Sequence, residues 1–291
     1  MSATLATVFT ILGHTVFGFE QPLAAVFVAL GTGYACSLLF EWVDAWACDG
    51  IPNFMGGGAL KVVDFLLPAH MTSITLSFLL FSYNQLWVIA FTVALSIGAK
   101  HVIRLHQRGR LQHVMNPSNF GLAITFAVFQ WTSVLPWSFT TNVHGAIDWI
   151  VPLIIVGLGF RLNLFFTGRL PTIGAWLGTF LVLSGIRASV LGTPWSAELV
   201  VLTGIPLVLF TFYMITDPQT SPTPVRGQII YGGSIALAYA VLLALQVQYT
   251  MFYSVAFVCG ARGLIIALKN VGVLATASQP AQAIESRAIT T

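Results

Sequence analysis

Charge is what this chain has least of. Asp, Glu, Lys and Arg make up 7% of its 291 residues, while 57% are hydrophobic. A soluble domain carries about 25% charged residues, so this chain lacks the means to cover a water-facing surface, and a soluble globule is excluded. Cysteine is scarce as well. Cys36, Cys48 and Cys259 are an odd count without metal-ligand spacing, which argues against a disulfide framework. Cys36 and Cys259 fall in apolar runs and read as packing residues. Strands of about ten residues with apolar/polar alternation are missing, which argues against a membrane barrel. No hydrolase triad, metal cluster or dinucleotide fingerprint is visible. Gly56, Gly57 and Gly58 have no Lys-Ser/Thr after them, so they make no phosphate loop. Residues 1–19 lack a positively charged leading region, so no cleavable signal peptide is expected.

What the chain does have is length of apolar sequence. Ten runs can be marked: 3–19, 22–40, 63–82, 85–99, 119–137, 148–166, 172–191, 197–215, 228–247 and 249–268. Only Gln246 and Gln248 mark the break between the last two. Runs of about twenty residues match the hydrocarbon thickness of a bilayer, and in lipid the backbone must satisfy its own polar groups, which favours helices. The expected fold class is all-α: a polytopic bundle of about ten transmembrane helices. One transmembrane domain covers 1–270, and a disordered cytoplasmic tail rich in Ala, Ser, Gln and Thr covers 271–291. No internal repeat is visible by eye, although ten spans can divide into two inverted halves.

The cations are one-sided. With the N-terminus inside, Lys61, Lys100, Arg104, Arg108, Arg110, Arg169, Arg226, Lys269 and Arg287 all fall in cytoplasmic segments, and the outer loops hold none. This is the pattern that sets orientation in a bacterial cytoplasmic membrane, and it puts both termini in the cytoplasm. The basic stretch 100–113 reads as a loop touching anionic lipid, not as a nucleic-acid patch. Arg161 can snorkel from the end of its span. His14, His70, Arg187 and Arg262 lie within spans, and the two arginines require partners in the bundle interior. Segment 41–62 reads as a connector or an interfacial piece, with Trp42 and Trp46 at headgroup level.

Three polar segments interrupt the apolar sequence on the cytoplasmic side. In MNPSNFG (115–121), Pro117 disfavours helix at Asn116, and Ser118 or Asn119 can cap the fifth span. Its helix N-terminus can hold an anion or carbonyl or be a plain capped turn. In the segment 161–172, Asn163, Thr167, Gly168 and Arg169 precede Pro171, which suits the first turn of the next helix. Arg161 and Arg169 can bind a phosphate or carboxylate together, or simply mark the inner face. In TDPQTSP (216–222), Thr216, Asp217, Thr220 and Ser221 read as an ordered turn. There Asp217 can orient a polar ring or pair with Arg226.

These segments carry a resemblance. MNPSNFG, LNLFFTGRLPTIGAWL and FTFYMITDPQTSP with the following RGQIIYGG resemble the RnfD/NqrB family of membrane electron-transport subunits, in particular the UnbU-like membrane proteins of enediyne biosynthesis clusters. LLPAHMTSITLSFLL (66–80) and FVCGARGLIIAL (257–268) are similar to that branch too. The resemblance covers roughly 60–270. It implies a urea-transporter-like bundle of ten helices, a role in flavin-linked membrane electron transfer, and redox partner proteins. On the matching positions it implies cofactor contacts at Asn116, Pro117, Asn119, Gly121, Asn163, Thr167, Gly168, Arg169, Thr216, Asp217, Thr220 and Ser221. Electron-transfer members esterify a flavin phosphate to threonine in an outer Ser-Gly-Ala-Thr motif. Here the outer loop, 137–146, lacks that motif, which leaves a non-covalent flavin (FMN or riboflavin) as the implied cofactor. Phe120, Phe165, Phe166, Trp176, Phe210, Phe212 and Tyr213 are candidate walls for it. The chain is then at most a non-catalytic or redox subunit of a membrane oxidoreductase. The alternative is a transporter or channel for a small uncharged or aromatic solute, and a blander option is a scaffold anchoring soluble enzymes.

Overall fold

A computed structural model describes residues 2–19, 21–107, 109–135, 145 and 149–288, with the side chains of all these except 2, 5, 151, 205 and 272–288. Arg108 and nearly all of the 137–146 loop therefore lie outside the described residues. The helices are α1 (Ser2–Leu12), α2 (Leu23–Ala47), α3 (Gly58–Leu79), α4 (Leu86–Val102), α5 (Pro117–Val128), α6 (Ile150–Leu162), α7 (Leu170–Leu191), α8 (Trp195–Leu199), α9 (Ile205–Leu209), α10 (Val225–Ala244) and α11 (Thr250–Ala288). The strands are short: β1 (Leu80–Phe81), β2 (Arg104–Gln107), β3 (Arg110–His113) and β4 (Ser133–Val134).

Five helices are long and apolar enough to cross a membrane: Leu23–Ala47, Gly58–Leu79, Leu170–Leu191, Val225–Ala244 and Thr250–Val271. The pair Trp195–Thr203 and Pro206–Met214 is bent by 73° and makes a sixth if it is one broken span. The remaining apolar runs are helical but short: Ala6–Phe17, Leu86–Val102, Pro117–Val128 and Pro152–Thr167. Among the described residues the protein is thus an all-α membrane protein with five or six full-length spans, where ten are expected from sequence. The shortfall is one of length. The 12 residues of α5 cover only about 18 Å at 1.5 Å per residue, against about 30 Å of hydrocarbon.

Two of the short helices are cut off by the same device. Both α1 and α6 run into a five-residue π turn, Gly13–Phe17 and Asn163–Thr167, and stop at a left-handed glycine, Gly18 (φ 70) and Gly168 (φ 63). A side chain in that conformation costs about 1–2 kcal/mol. The next N–H folds back on the first carbonyl of the π turn: Phe19 N to Gly13 O at 2.9 Å, Arg169 N to Asn163 O at 3.2 Å. Proline then opens the following helix, as the N-cap Pro22 of α2 and as Pro171 in the first turn of α7.

Packing order also repeats. In the first half α2 lies along α3 and α4, α4 along α5, and α1 against α3; in the second α7 lies along α8 and α10, α10 along α11, and α6 against α9 and its π turn. The main core runs through both halves, from Leu76, Val93 and Phe126 to Trp176, Phe210 and Phe252. A second cluster of Phe19, Ile74, Phe78 and Ile155, flanked by Val208 and Tyr213, joins α1 and α3 to α6 and α9. Residue-type similarity does not reveal this repeat, because the third segment is one long helix in the first half and a bent pair in the second.

The connections gather in two groups. In one, Asp44 takes a bidentate pair from Arg104 (2.9 and 2.9 Å), His113 reaches Asp217, Arg169 reaches Pro222, and Asn270 Nδ2 donates to His106 O at 3.1 Å. In the other, β1 pairs with β4 (Leu80 with Val134, Phe81 with Ser133), and Tyr249 OH donates to Thr132 O at 2.7 Å. The basic stretch 100–113 is more ordered than a plain loop. It is an antiparallel hairpin of β2 and β3, in register from Arg104 with His113 to Gln107 with Arg110. Within 41–62, α2 continues to Ala47 and α3 begins at Gly58, so the connection is only 48–57. Buried Glu41 fastens it by accepting from Asn53 N and Nδ2 at 2.9 and 2.6 Å, and Trp42 and Trp46 are exposed. The backbone of α11 continues beyond 270 into the segment read above as a tail.

Candidate functional site

The three polar segments meet at the first group of connections. The order begins with Asn116. Pro117 after it holds Asn116 extended (φ −60, ψ 122), and its side chain accepts from Asn119 N at 3.0 Å. The cap of α5 is therefore Asn116 itself, not Ser118 or Asn119, because the extended residue before the proline is the one free to turn its oxygen onto the first turn. Freed from capping, Asn119 points across the bundle and donates to Phe252 O at 3.0 Å.

The 216–221 segment is wound around Asp217. Its carbonyl accepts from Ser221 N and Ser221 Oγ at 2.9 and 2.6 Å, and its Oδ1 accepts from Gln219 N at 3.1 Å. Oδ2 accepts from His113 Nε2 at 3.1 Å and Thr220 Oγ1 at 3.3 Å, with Asn116 Nδ2 at the limit of 3.5 Å. Asp217 thus joins the hairpin and the α5 cap. It does not serve Arg226, which is exposed. Thr216 is turned inward and donates to Phe212 O at 2.6 Å.

The 163–169 segment supports the other side of this turn. Asn163, fully buried, donates to Gly159 O and Phe212 O, both at 2.9 Å, and accepts from Thr167 Oγ1 at 2.9 Å. Gly168 O accepts from Gln228 Nε2 at 3.1 Å. Arg169, 4% exposed, donates to Pro222 O at 2.6 Å and Pro218 O at 3.3 Å. From α11, Arg262 donates to Thr220 O at 2.6 Å and Gln107 Oε1 at 3.1 Å. Two guanidinium groups, buried Arg169 and half-buried Arg262, therefore grip one turn by its carbonyls. The expected anion clamp of Arg161 with Arg169 does not form: Arg161 stands on the exposed face of α6, while Arg169 is engaged with the turn.

Other expected residues are elsewhere. Gly121 faces α4, where a Cβ would run into Ser96 and lie 2.9 Å from Thr92 O, so it serves helix contact. Arg187 finds Glu198 at 3.3 Å. His70 bridges three helices. The Thr7 hydroxyl donates to Ala3 O at 2.9 Å, so at its 2.8 Å contact with His70 the Nε2–H is the donor; His70 Nδ1 then accepts from Tyr34 OH at 2.5 Å. The candidate aromatic walls do not converge. Phe165 and Phe166 are exposed, Tyr213 OH donates to Ile155 O, and Trp176 packs edge-on to Phe210 at 5.2 Å. Sequence reasoning missed His113, Gln107 and Gln228. The hairpin alternation in 104–113 was the available signal for the first two.

Chemically, the cluster is a closed network. Its donors and acceptors chiefly satisfy one another, while Asn119 Oδ1 and Gln107 Nε2 have no hydrogen-bond partner among the described residues. No protein-family model matches this chain, and no curated protein is similar to it.

Proposed function

We propose that this chain is a ten-span subunit of a bacterial cytoplasmic membrane, resembling RnfD/NqrB, that takes part in flavin-linked electron transfer with redox partner proteins and serves natural-product biosynthesis of the enediyne type. One observation carries the reading. The three stretches that bear the resemblance, about a hundred residues apart at the extremes, meet in one buried network through Asn116, Asp217 and Arg169. Asn119 Oδ1, without a partner among the described residues, is an acceptor of the kind that the N–H edge of a flavin ring would need. A flavin phosphate fits poorly, since Arg169 and Arg262 hold backbone carbonyls. The cofactor of this reading is therefore a non-covalent flavin bound by its ring, and Asn119 would orient it. Detergent-purified protein is expected to absorb near about 450 nm and to release flavin to mass analysis, the protein supplying position and polarity to the cofactor's own chemistry. Colourless, flavin-free protein overturns the reading.

Ten crossings are supported by the alternation of the connections. Those following even-numbered segments contact one another, and so do those following the third, fifth and ninth. The cations concentrate in the first group, which supports a cytoplasmic position for it and for both termini. Cys48, an exposed native cysteine of that group, tests this. A membrane-impermeant maleimide is expected to label it in inverted vesicles and not in intact cells. Labelling from outside reverses the orientation.

A second reading, a transporter or channel, is favoured by the two five-segment halves, each opening with a helix broken at a π turn. Flux of a small aromatic or uncharged solute into liposomes, without bound flavin, is the result that would replace the first reading with this one.

A further inference from the structure

The two halves turn the same corner with different chemistry. After each left-handed glycine a buried polar side chain faces the turn that follows the third segment. In the second half it is Arg169, whose guanidinium fills the corner and bonds Pro218 O and Pro222 O. In the first half it is Gln21, 6% exposed, which faces the Leu80 to Asn84 turn. There the corner is not filled. A slot of about the size of one water molecule remains, lined by Gln21, Pro22, Leu80, Ser82, Asn84 and Leu135. Gln21 Oε1 borders it with no hydrogen-bond partner among the described residues.

A buried acceptor left unpaired costs about 1–3 kcal/mol, and this one borders the slot. The slot is too small for an organic ligand. It has the two features that separate a hydrated site from a dry void, room for a water and more than one polar wall, here Gln21 and Ser82. We propose that the slot is a binding site for a single ordered water, which donates to Gln21 Oε1 and stands where the guanidinium stands in the other half. The β1 and β4 ladder at this end would then be closed by a guest, whereas the opposite end is closed by a side chain. The argument uses neither the flavin nor the transport reading.

Radiolytic hydroxyl footprinting of the full chain in nanodiscs tests it, because a trapped water generates its radicals in place. Leu80 is 1% exposed and Leu135 5%, so bulk radicals cannot reach them. In wild type, peptides bearing these residues should be oxidised at least threefold above similarly buried leucines such as Leu76 and Leu122, both at 0% exposure. Gln21→Met removes the acceptor at similar volume and should return them to background; Gln21→Glu keeps the acceptor and should preserve the labelling. Background labelling in wild type overturns the proposal without any variant, and so does undiminished labelling in a folded Gln21→Met.

Discussion

Replacing Arg169 with methionine is expected to lower the melting temperature of the detergent-solubilised protein by roughly 10 °C, from a loss of about 3 kcal/mol. The side chain is nearly isosteric along its stem, so packing changes little. What disappears is the pair of charge-assisted bonds to Pro222 O at 2.6 Å and Pro218 O at 3.3 Å. Both carbonyls belong to a turn whose Thr220 and Ser221 are fully buried, so solvent is poorly placed to replace the lost donors. Arg169→Lys should not rescue, since an ammonium cannot reproduce the planar fork that reaches both carbonyls at once. Arg226→Met, at an exposed position, is the control and should stay within about 0.5 kcal/mol of wild type. Equal melting temperatures for the two methionine variants would show that the turn holds its shape without the guanidinium.

The sequence is legible here wherever one residue dictates its own backbone. Gly168 and Pro171 announce the corner between α6 and α7, and both stand there as their conformational preferences require. Asn116 before Pro117 announces a break, although the residue that caps is the one before the proline. Legibility fails where the outcome depends on partners distant in sequence. Nothing local says that Arg169 will hold a turn fifty residues later instead of joining Arg161. Nothing local says that Asp217 will prefer His113 to Arg226, its nearer neighbour in the chain. Composition likewise reports apolar length but not where a helix stops. The π turns that end α1 and α6 lie inside runs that look continuous, α4 and α5 are short without one, and ten apolar runs yield five or six full-length helices. The alternation in 104–113 signals the hairpin of β2 and β3, whereas the charge of the same stretch signals contact with anionic lipid.

The closest approach of a glycine to another helix's backbone among the described residues leads to the last expectation, that Gly232→Ala destabilises the protein by about 3 kcal/mol, as overpacking does where nothing flexible can yield. A Cβ at Gly232 would collide with the carbonyl oxygen of Thr172 and lie 3.0 Å from Trp176 N. Both are backbone atoms of α7, so one whole helix must shift to admit a methyl group. In lipid there is no water to expel from between helices, and close van der Waals fit takes over the role that burial plays in a soluble core. Separating α7 from α10 would also stretch the bond from Thr172 Oγ1 to Gln228 Oε1, already 3.4 Å, and loosen Trp176 from Tyr239. Gly233, one residue on, is the contrast. Its Cβ would meet only Thr179 Oγ1, at 3.5 Å. There the better helix propensity of alanine should leave stability unchanged or raise it by up to about 1 kcal/mol. Thermal unfolding of the two variants side by side separates a steric effect from a general intolerance of alanine in α10. If Gly232→Ala melts with Gly233→Ala, the helices do not approach as closely as Thr172 and Gly232 require.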